Sequence, residues 1–212
     1  MDAWIDRLAQ TLGEDRRANP RDDLTSIMMQ GEVDGEHMTA QEFGSFFILL
    51  VVAGNETTRN AITHGMNAFF DFPEQWELWK AERPATMVDE VVRWASPISV
   101  FQRTALNDTE VGGVKVAKGQ RVGLFYASAN FDEDVFADPF TFNILRDPNP
   151  HQAFGGHGAH YCIGANLARL EVDLMFNAIA DAGVRIELKG EPRRLRSGWL
   201  NGVKEMPVAY HR

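Results

Sequence analysis

The sequence predicts a mainly α-helical fold with small β-sheets, on three observations. Nothing breaks a helix between Thr39 and Pro73. From Val100 to Phe125 short β-prone runs alternate with turn residues. After a long coil, apolar residues return at helical spacing at Leu167, Leu170, Leu174 and Ala178.

The elements follow in order. Residues 1–17 read as a charged helix, 18–23 as a turn, and a short helix continues to Gln30. Residues 31–37 read as a loop. Thr39-Ala40-Gln41-Glu42 has the form of a capping box, in which the Thr hydroxyl accepts a backbone N–H and the Glu reaches back. The helix it starts would be about 50 Å long at 1.5 Å per residue. Residues 46–53 are apolar on every face, so its middle is expected to be buried. Pro73 opens a helix over 74–82, and Pro84 precedes another over 85–94, which Pro97 stops. Strands are expected over 100–104, in a hairpin of 109–111 with 114–116 turning on Gly112-Gly113, and over 120–125. Residues 131–161 are rich in Pro, Gly, Asp and Asn. A coil this long inside a compact domain is usually functional. Helix returns over 167–182, with Gly183 as its stop, and Asn201-Gly202 signals a further hairpin.

Bulk properties exclude several classes. The 212 residues fit one domain, or most of one, over 1–212. With 21 basic against 30 acidic residues the net charge is −9, which disfavours nucleic acid, whose phosphates need clustered Lys and Arg. The longest apolar run is eight residues, far short of a bilayer span, and no signal peptide is visible, so no membrane association is expected. One cysteine allows no internal disulfide, and a cytoplasmic location is the default.

That cysteine lies in the densest cluster of the chain, Phe154-Gly155-Gly156-His157-Gly158-Ala159-His160-Tyr161-Cys162-Ile163-Gly164. The glycines let backbone pass close to a flat, bulky object, and Gly164 lets the chain turn into the next helix. The sulfur would then stand near a helix N-terminus, whose dipole favours a thiolate. A lone cysteine is more commonly a buried, inert side chain. Zinc is a further alternative, because His151, His157, His160 and Cys162 are close in sequence, but structural zinc sites usually pair their cysteines.

The stretch from Phe154 to Arg169 resembles the haem-binding signature of the cytochromes P450. Its Gly-x-His-x-Cys-x-Gly core falls on Gly158, His160, Cys162 and Gly164. One feature departs: the signature's aromatic stands seven residues before the cysteine, and Phe154 stands eight before it. The resemblance implies the C-terminal part of the cytochrome P450 fold, with a long central helix and a cysteine-ligand loop. It also implies haem b (iron protoporphyrin IX), with Cys162 as the metal ligand. A thiolate there favours O–O cleavage.

Three further motifs keep the family's order. Ala53-Gly54-Asn55-Glu56-Thr57-Thr58 lies in the long helix. By itself it is a tolerated polar kink as readily as a site, since Thr57 can bond back to the Ala53 carbonyl and open the helix locally. The resemblance makes it the oxygen-binding motif: Gly54 leaves room, Thr57 hydrogen-bonds reduced oxygen, and Glu56 helps relay protons. Glu90-Val91-Val92-Arg93 puts opposite charges three apart, ordinarily a solvated pair. In the family this pair is buried and ties the core to the coil. The coil's usual arginine, in a Pro-x-Arg-Phe element, is replaced by Thr141, and Arg146 is the candidate substitute. Arg103, in Phe101-Gln102-Arg103-Thr104, resembles a haem-propionate ligand, with His160 as a second partner.

The text around these motifs is similar to the bacterial monooxygenases that oxidise the terminal methyl of steroid side chains. That similarity makes Val52, Ala53, Ile98, Ser99, Val100, Phe101, Trp199 and Leu200 candidate substrate contacts, each equally readable as ordinary core. The implied partners are O2, a hydrophobic steroid-like substrate and a ferredoxin-type electron donor. A family member has roughly twice this length, so the chain is expected to be a fragment that exposes apolar surface and holds haem poorly alone. A haem-binding protein without turnover is the first rival reading, although it would not need Glu56 and Thr57. A fragment with neither haem nor activity is the second.

Overall fold

The structure, a computed structural model, describes residues 3–156 and 158–211. Two compact units divide the chain, one up to Asn55 and one from Glu56 onward.

In the first unit, α1 (Ala3–Ala18) and α2 (Leu24–Gln30) pack with the start of α3 (Ala40–Asp71). Ala9, Met29 and Phe43 form its small core, flanked by Met28, Met38 and Phe47. Asp23 caps α2 by accepting the Ser26 N–H at 2.8 Å. The capping box forms as its sequence requires: Thr39 Oγ1 accepts Glu42 N–H at 3.2 Å, and Glu42 Oε2 accepts Thr39 N–H at 2.8 Å. Two expectations need correction. Residues 31–37 make a small hairpin of β1 (Glu32–Val33) and β2 (Glu36–His37), because Asp34 and Gly35 both take the left-handed conformation that a tight two-residue turn demands. The apolar middle of α3 is not buried: Leu49, Leu50 and Val51 are exposed, because the core formed with α1 and α2 ends at Phe47.

The second unit holds the larger core. After α3 come α4 (Pro73–Glu82) and α5 (Met87–Ala95), then β3 (Val100–Thr104), β4 (Thr109–Val111), β5 (Val114–Val116) and β6 (Arg121–Phe125). α6 (Tyr126–Asn130) precedes the long coil, and α7 (Ala165–Asp181) follows it. β7 (Arg185–Leu188), β8 (Arg193–Arg194), β9 (Val203–Glu205) and β10 (Val208–His211) end the described chain. Every sheet is a two-stranded antiparallel pair: β3 with β6, β4 with β5, β7 with β10 and β8 with β9. Phe69 stands at the centre of the core, edge-on to Trp76, Phe142 and Phe176 at 5.1–5.3 Å between ring centroids. Gly65 lets α3 approach it closely, since a Cβ there would meet Val91 at 2.8 Å and Phe176 at 2.9 Å.

Most helices and the strands over 100–125 were expected; β7 and β10 were not, and three further differences stand out. The short helix α6 carries no apolar period and went unpredicted. The buried face of α7 is Ala165, Val172 and Phe176, while Leu167, Leu170 and Leu174 are exposed. Phe176 wins because its ring fills the space between Phe69 and Gly65. Asn201-Gly202 is not the tip of a two-residue turn. Leu195 N–H donates to Gly202 O at 2.8 Å, so the pair closes the base of a loop whose tip is near Trp199. Among the described residues, no helix is long and apolar enough to cross a membrane.

Candidate functional site

The cysteine loop is shaped by its backbone. Gly155 (φ 84°) and Gly158 (φ 131°) occupy conformations that a side chain would strain. Cys162 N–H donates to Phe154 O at 2.9 Å, and Ala165 N–H donates to Cys162 O at 3.2 Å. Cys162 thus stands three residues ahead of the first residue of α7, at its N-terminal end. The free thiol is exposed, which excludes the buried, inert alternative. Phe154 is half-buried. The Arg169 guanidinium lies 4.5 Å from its ring centroid and the His151 ring 5.7 Å away. The extra residue between Phe154 and Cys162 therefore leaves the aromatic packed at the loop's base. Asp89 on α5 fixes the surroundings, bonding Arg169 Nε at 2.8 Å and His151 Nε2 at 3.1 Å. Those two partners hold the Asp89 carboxyl below its usual range against the desolvation that would raise it. Ala153 N–H donates to His151 Nδ1, so Nε2–H is the donor toward Asp89.

A second lattice anchors the coil. Glu90 and Arg93 are fully buried and paired through both carboxylate oxygens at 2.8 Å. Arg93 Nη1 also donates to the carbonyls of Asn130 and Pro139 at 2.8 and 3.0 Å. Glu90 accepts from Asn143 N–H at 2.9 Å and from Asn149 Nδ2 at 3.1 Å. Arg146 completes it, with Nε 3.1 Å from Glu90 Oε2 and its other nitrogens on the carbonyls of Ala137, Asp138 and Thr141. Arg146 thus makes the contact to the glutamate that an arginine at position 141 would have been expected to make. A buried charge needs such complete pairing.

On β3, Arg103 is exposed, and Nη1 bonds only the adjacent carbonyl of Gln102 among the described residues. His160 is exposed as well. The candidate substrate contacts at 98–101 acquire a partner: Ile98 bridges Leu200, Ser99 N–H donates to Trp199 O at 2.7 Å, and the Phe101 and Trp199 rings lie 6.4 Å apart. Val100 is the half-buried first residue of β3. Five of the candidate substrate contacts therefore come together, and Phe101 and Trp199 are 40% and 43% exposed.

α3 is unbroken through residues 53–58, so the expected local opening does not interrupt it. Val52, Ala53 and Gly54 belong to the first unit, and a Cβ on Gly54 would meet nothing within 4 Å. Glu56 and Thr57 begin the second unit and are half-buried. Glu56 is paired by both oxygens with Arg59, at 3.1 and 2.5 Å, which together with a bond from Asn60 holds its carboxyl below the usual range. Sequence reasoning missed Arg59 and Asn60. The signal was available, since Glu56 and Arg59 repeat the three-residue spacing of Glu90 and Arg93.

The family description "Cytochrome P450" matches residues 85–180. The Steroid C26-monooxygenase of Rhodococcus jostii (strain RHA1) is 60% identical over 202 residues, which are 95% of this chain and 43% of that protein. This chain belongs to the cytochrome P450 family. A Methyl-branched lipid omega-hydroxylase of Mycobacterium tuberculosis (strain ATCC 25618 / H37Rv) is 50% identical over 98% of this chain and 49% of its own length. Among solved structures, a Mycobacterium marinum cytochrome P450 in complex with pseudoionone matches with a TM-score of 0.87 at 40% identity, covering 97% of this chain and 50% of that one. CYP109E1 from Bacillus megaterium in complex with testosterone gives 0.89 at 32%, covering 97% and 58%. The chain spans about half the length of the curated relatives it matches.

P450 membership implies haem b, and the donor set fits it. Among the described residues no three His, Cys, Asp or Glu side chains gather to hold a bare ion; His157 lies outside the described residues. A single exposed thiol suits a haem, which takes its other iron ligands from its own macrocycle, so Cys162 would hold the iron. The exposed guanidinium of Arg103 suits a carboxylate of that macrocycle.

Proposed function

We propose that the protein to which this P450 chain belongs is a haem-thiolate monooxygenase. It would insert one atom of O2 into a C–H bond, at the terminal methyl of a steroid side chain, while two electrons and two protons carry the other atom away as water. The observation that carries this reading is Cys162 presented at the head of α7 in a chain 60% identical to a Steroid C26-monooxygenase. When bound, the haem supplies the oxygen chemistry. The chain's own residues would do the rest. Cys162 holds the iron, and Arg103 and His160 orient the propionates. Thr57 and Glu56 hold and pass protons, and the Phe101–Trp199–Leu200 cluster seats an apolar ligand. A methyl group offers no hydrogen bond, so its placement must come from apolar walls of this kind.

Electrons would come from a ferredoxin-type donor, and the setting would be cytoplasmic. The names of the two relatives support a lipid substrate, one a steroid and the other a methyl-branched lipid. The test uses the haem-loaded, full-length protein with cholestenone. Cys162→Ser should abolish the thiolate-type optical band of the reduced carbon-monoxide complex. Thr57→Ala should keep that band but divert electrons to hydrogen peroxide. A retained band in the first variant would end the haem-thiolate reading, and an unchanged product yield per electron in the second would end the proton role of Thr57.

A further inference from the structure

Arg59 and Asn60 each bond in two directions. Asn60 is fully buried; Nδ2 donates to Glu56 O at 2.8 Å and to Glu56 Oε1 at 3.2 Å, while Oδ1 accepts the Val203 N–H at 2.9 Å. Arg59 donates Nε and Nη2 to the two oxygens of Glu56, and Nη1 to Val203 O at 3.1 Å. Both backbone polar groups of Val203 are thus held by the two side chains that hold Glu56. Buried amides have few alternative partners, so such a network shifts as a unit or loses bonds.

Val203 follows directly on the loop that carries Trp199 and Leu200. His64 grips the same loop, its Nε2 lying 2.8 Å from Asn201 O. A carbonyl only accepts, so that nitrogen carries the proton, and burial lowers the proton affinity of the ring and keeps it neutral. Asn201 is tied in turn to the end of α5, donating Nδ2 to Ala95 O at 2.7 Å and its N–H to Pro97 O at 2.9 Å.

We propose that Arg59 and Asn60 are positioning residues that couple the seat of Trp199 and Leu200 to the placement of Glu56. This rests on the roles given above to Glu56 and to the loop. A carboxylate held by a guanidinium fork stays ionised and stationary, whereas a relay carboxylate must turn and take up a proton. Displacement of Val203 by a ligand pressing on the loop draws on Arg59 and Asn60, and so loosens the hold on Glu56. Coupling of this kind is reciprocal, so a change at Glu56 must be felt at Val203.

The reciprocity supplies a test that does not depend on turnover. In the full-length, haem-loaded protein, Glu56→Gln should speed amide hydrogen exchange at Val203 about fivefold, the size expected when one ordinary hydrogen bond of the network is lost. Asn67→Ala, further along α3, should leave it unchanged. Arg59→Met should speed the same exchange and, with cholestenone bound, raise hydrogen peroxide formed per electron about threefold. Arg59→Lys keeps the charge without the fork and should fall between, so it preserves the test if Arg59→Met does not fold. Unchanged exchange at Val203 in both Glu56→Gln and the Arg59 variant would overturn the coupling. So would faster exchange with unchanged peroxide, because Glu56 would then be mechanically linked but not functionally placed. Failure of the monooxygenase reading is separate: it would appear in Cys162→Ser and leave the exchange results intact.

Discussion

Two Glu-x-x-Arg pairs occur on helices of this chain, and they have opposite characters. In both, the arginine bonds both oxygens of a glutamate one helical turn earlier. Glu90 and Arg93 have no exposed side-chain surface, whereas Glu56 and Arg59 retain 37% and 49% of theirs. The buried pair is surrounded by fixed partners from the coil: Asn143 N–H, Asn149 and Arg146 on the glutamate, and two carbonyls on the arginine. Outside α3 the open pair bonds one element, β9 at the Val203 carbonyl. Spacing alone makes the pair, and the environment decides whether it locks a fold or holds a group that can be released. A lattice that seals a charge can serve only as an anchor. A half-open carboxylate can still change its proton and its partner.

The largest effect should come from breaking the sealed pair. Arg93→Ala leaves Glu90 buried beside a single remaining cation, and about 3–5 kcal/mol of stability should be lost. Arg59→Ala removes an exposed partner and should cost less than about 1 kcal/mol. Urea unfolding of the two variants side by side reads the difference. Near-equal losses would show that burial does not separate the two pairs.

This contrast also marks what the sequence could show. The family's motifs are written in residue identity, so Cys162, the Glu90–Arg93 pair and the capping box at Thr39 and Glu42 were legible, as were most helices and the Gly112-Gly113 hairpin. Burial is decided by which neighbour arrives, and sequence period does not contain that. Leu167, Leu170 and Leu174 have the spacing of a core stripe and lie outside, while Val172 and Phe176 are buried because α3 and α5 approach that side of α7. The same holds for residues 49–51. Arg146 was only a candidate until the coil's path brought it to Glu90, 56 residues away in sequence. Arg59 and Asn60 were overlooked because their significance lies in Val203, more than 140 residues later.

Apolar side chains sharpen the same distinction. Phe176 is fully buried against Phe69 and Gly65, and Phe176→Ala should destabilise by about 3–5 kcal/mol through the cavity left behind. Leu170→Ala on the exposed side of α7 should change stability by no more than about 0.5 kcal/mol, although the helix period puts Leu170, and not Phe176, on the apolar stripe. Comparable losses at the two sites would mean that the leucine face is covered in solution, which a concentration series of the unfolding midpoint would reveal.

The smallest expected effect belongs to a third carboxylate, Asp23, where a cap and an ion pair act together at the surface. Arg16 Nε lies 2.6 Å from Asp23 Oδ2, and the Ser26 N–H reaches Oδ1 at 2.8 Å. The arginine first, and then the amide, lower the carboxyl from 3.8 to about 2. The unfolded chain therefore takes up the proton before the folded chain does. The contribution of Asp23 to stability is complete above pH 3.8 and is lost as the pH falls through about 2. Asp23→Asn retains an oxygen able to cap Ser26 but carries no charge, so it isolates the Arg16 interaction. The difference in unfolding midpoint between the parent chain and this variant should be small, present at neutral pH, and should vanish as pH approaches 2. A difference independent of pH would assign the effect to the cap alone. It would then separate Asp23 from Glu56, whose depressed carboxyl is ascribed first to its arginine as well.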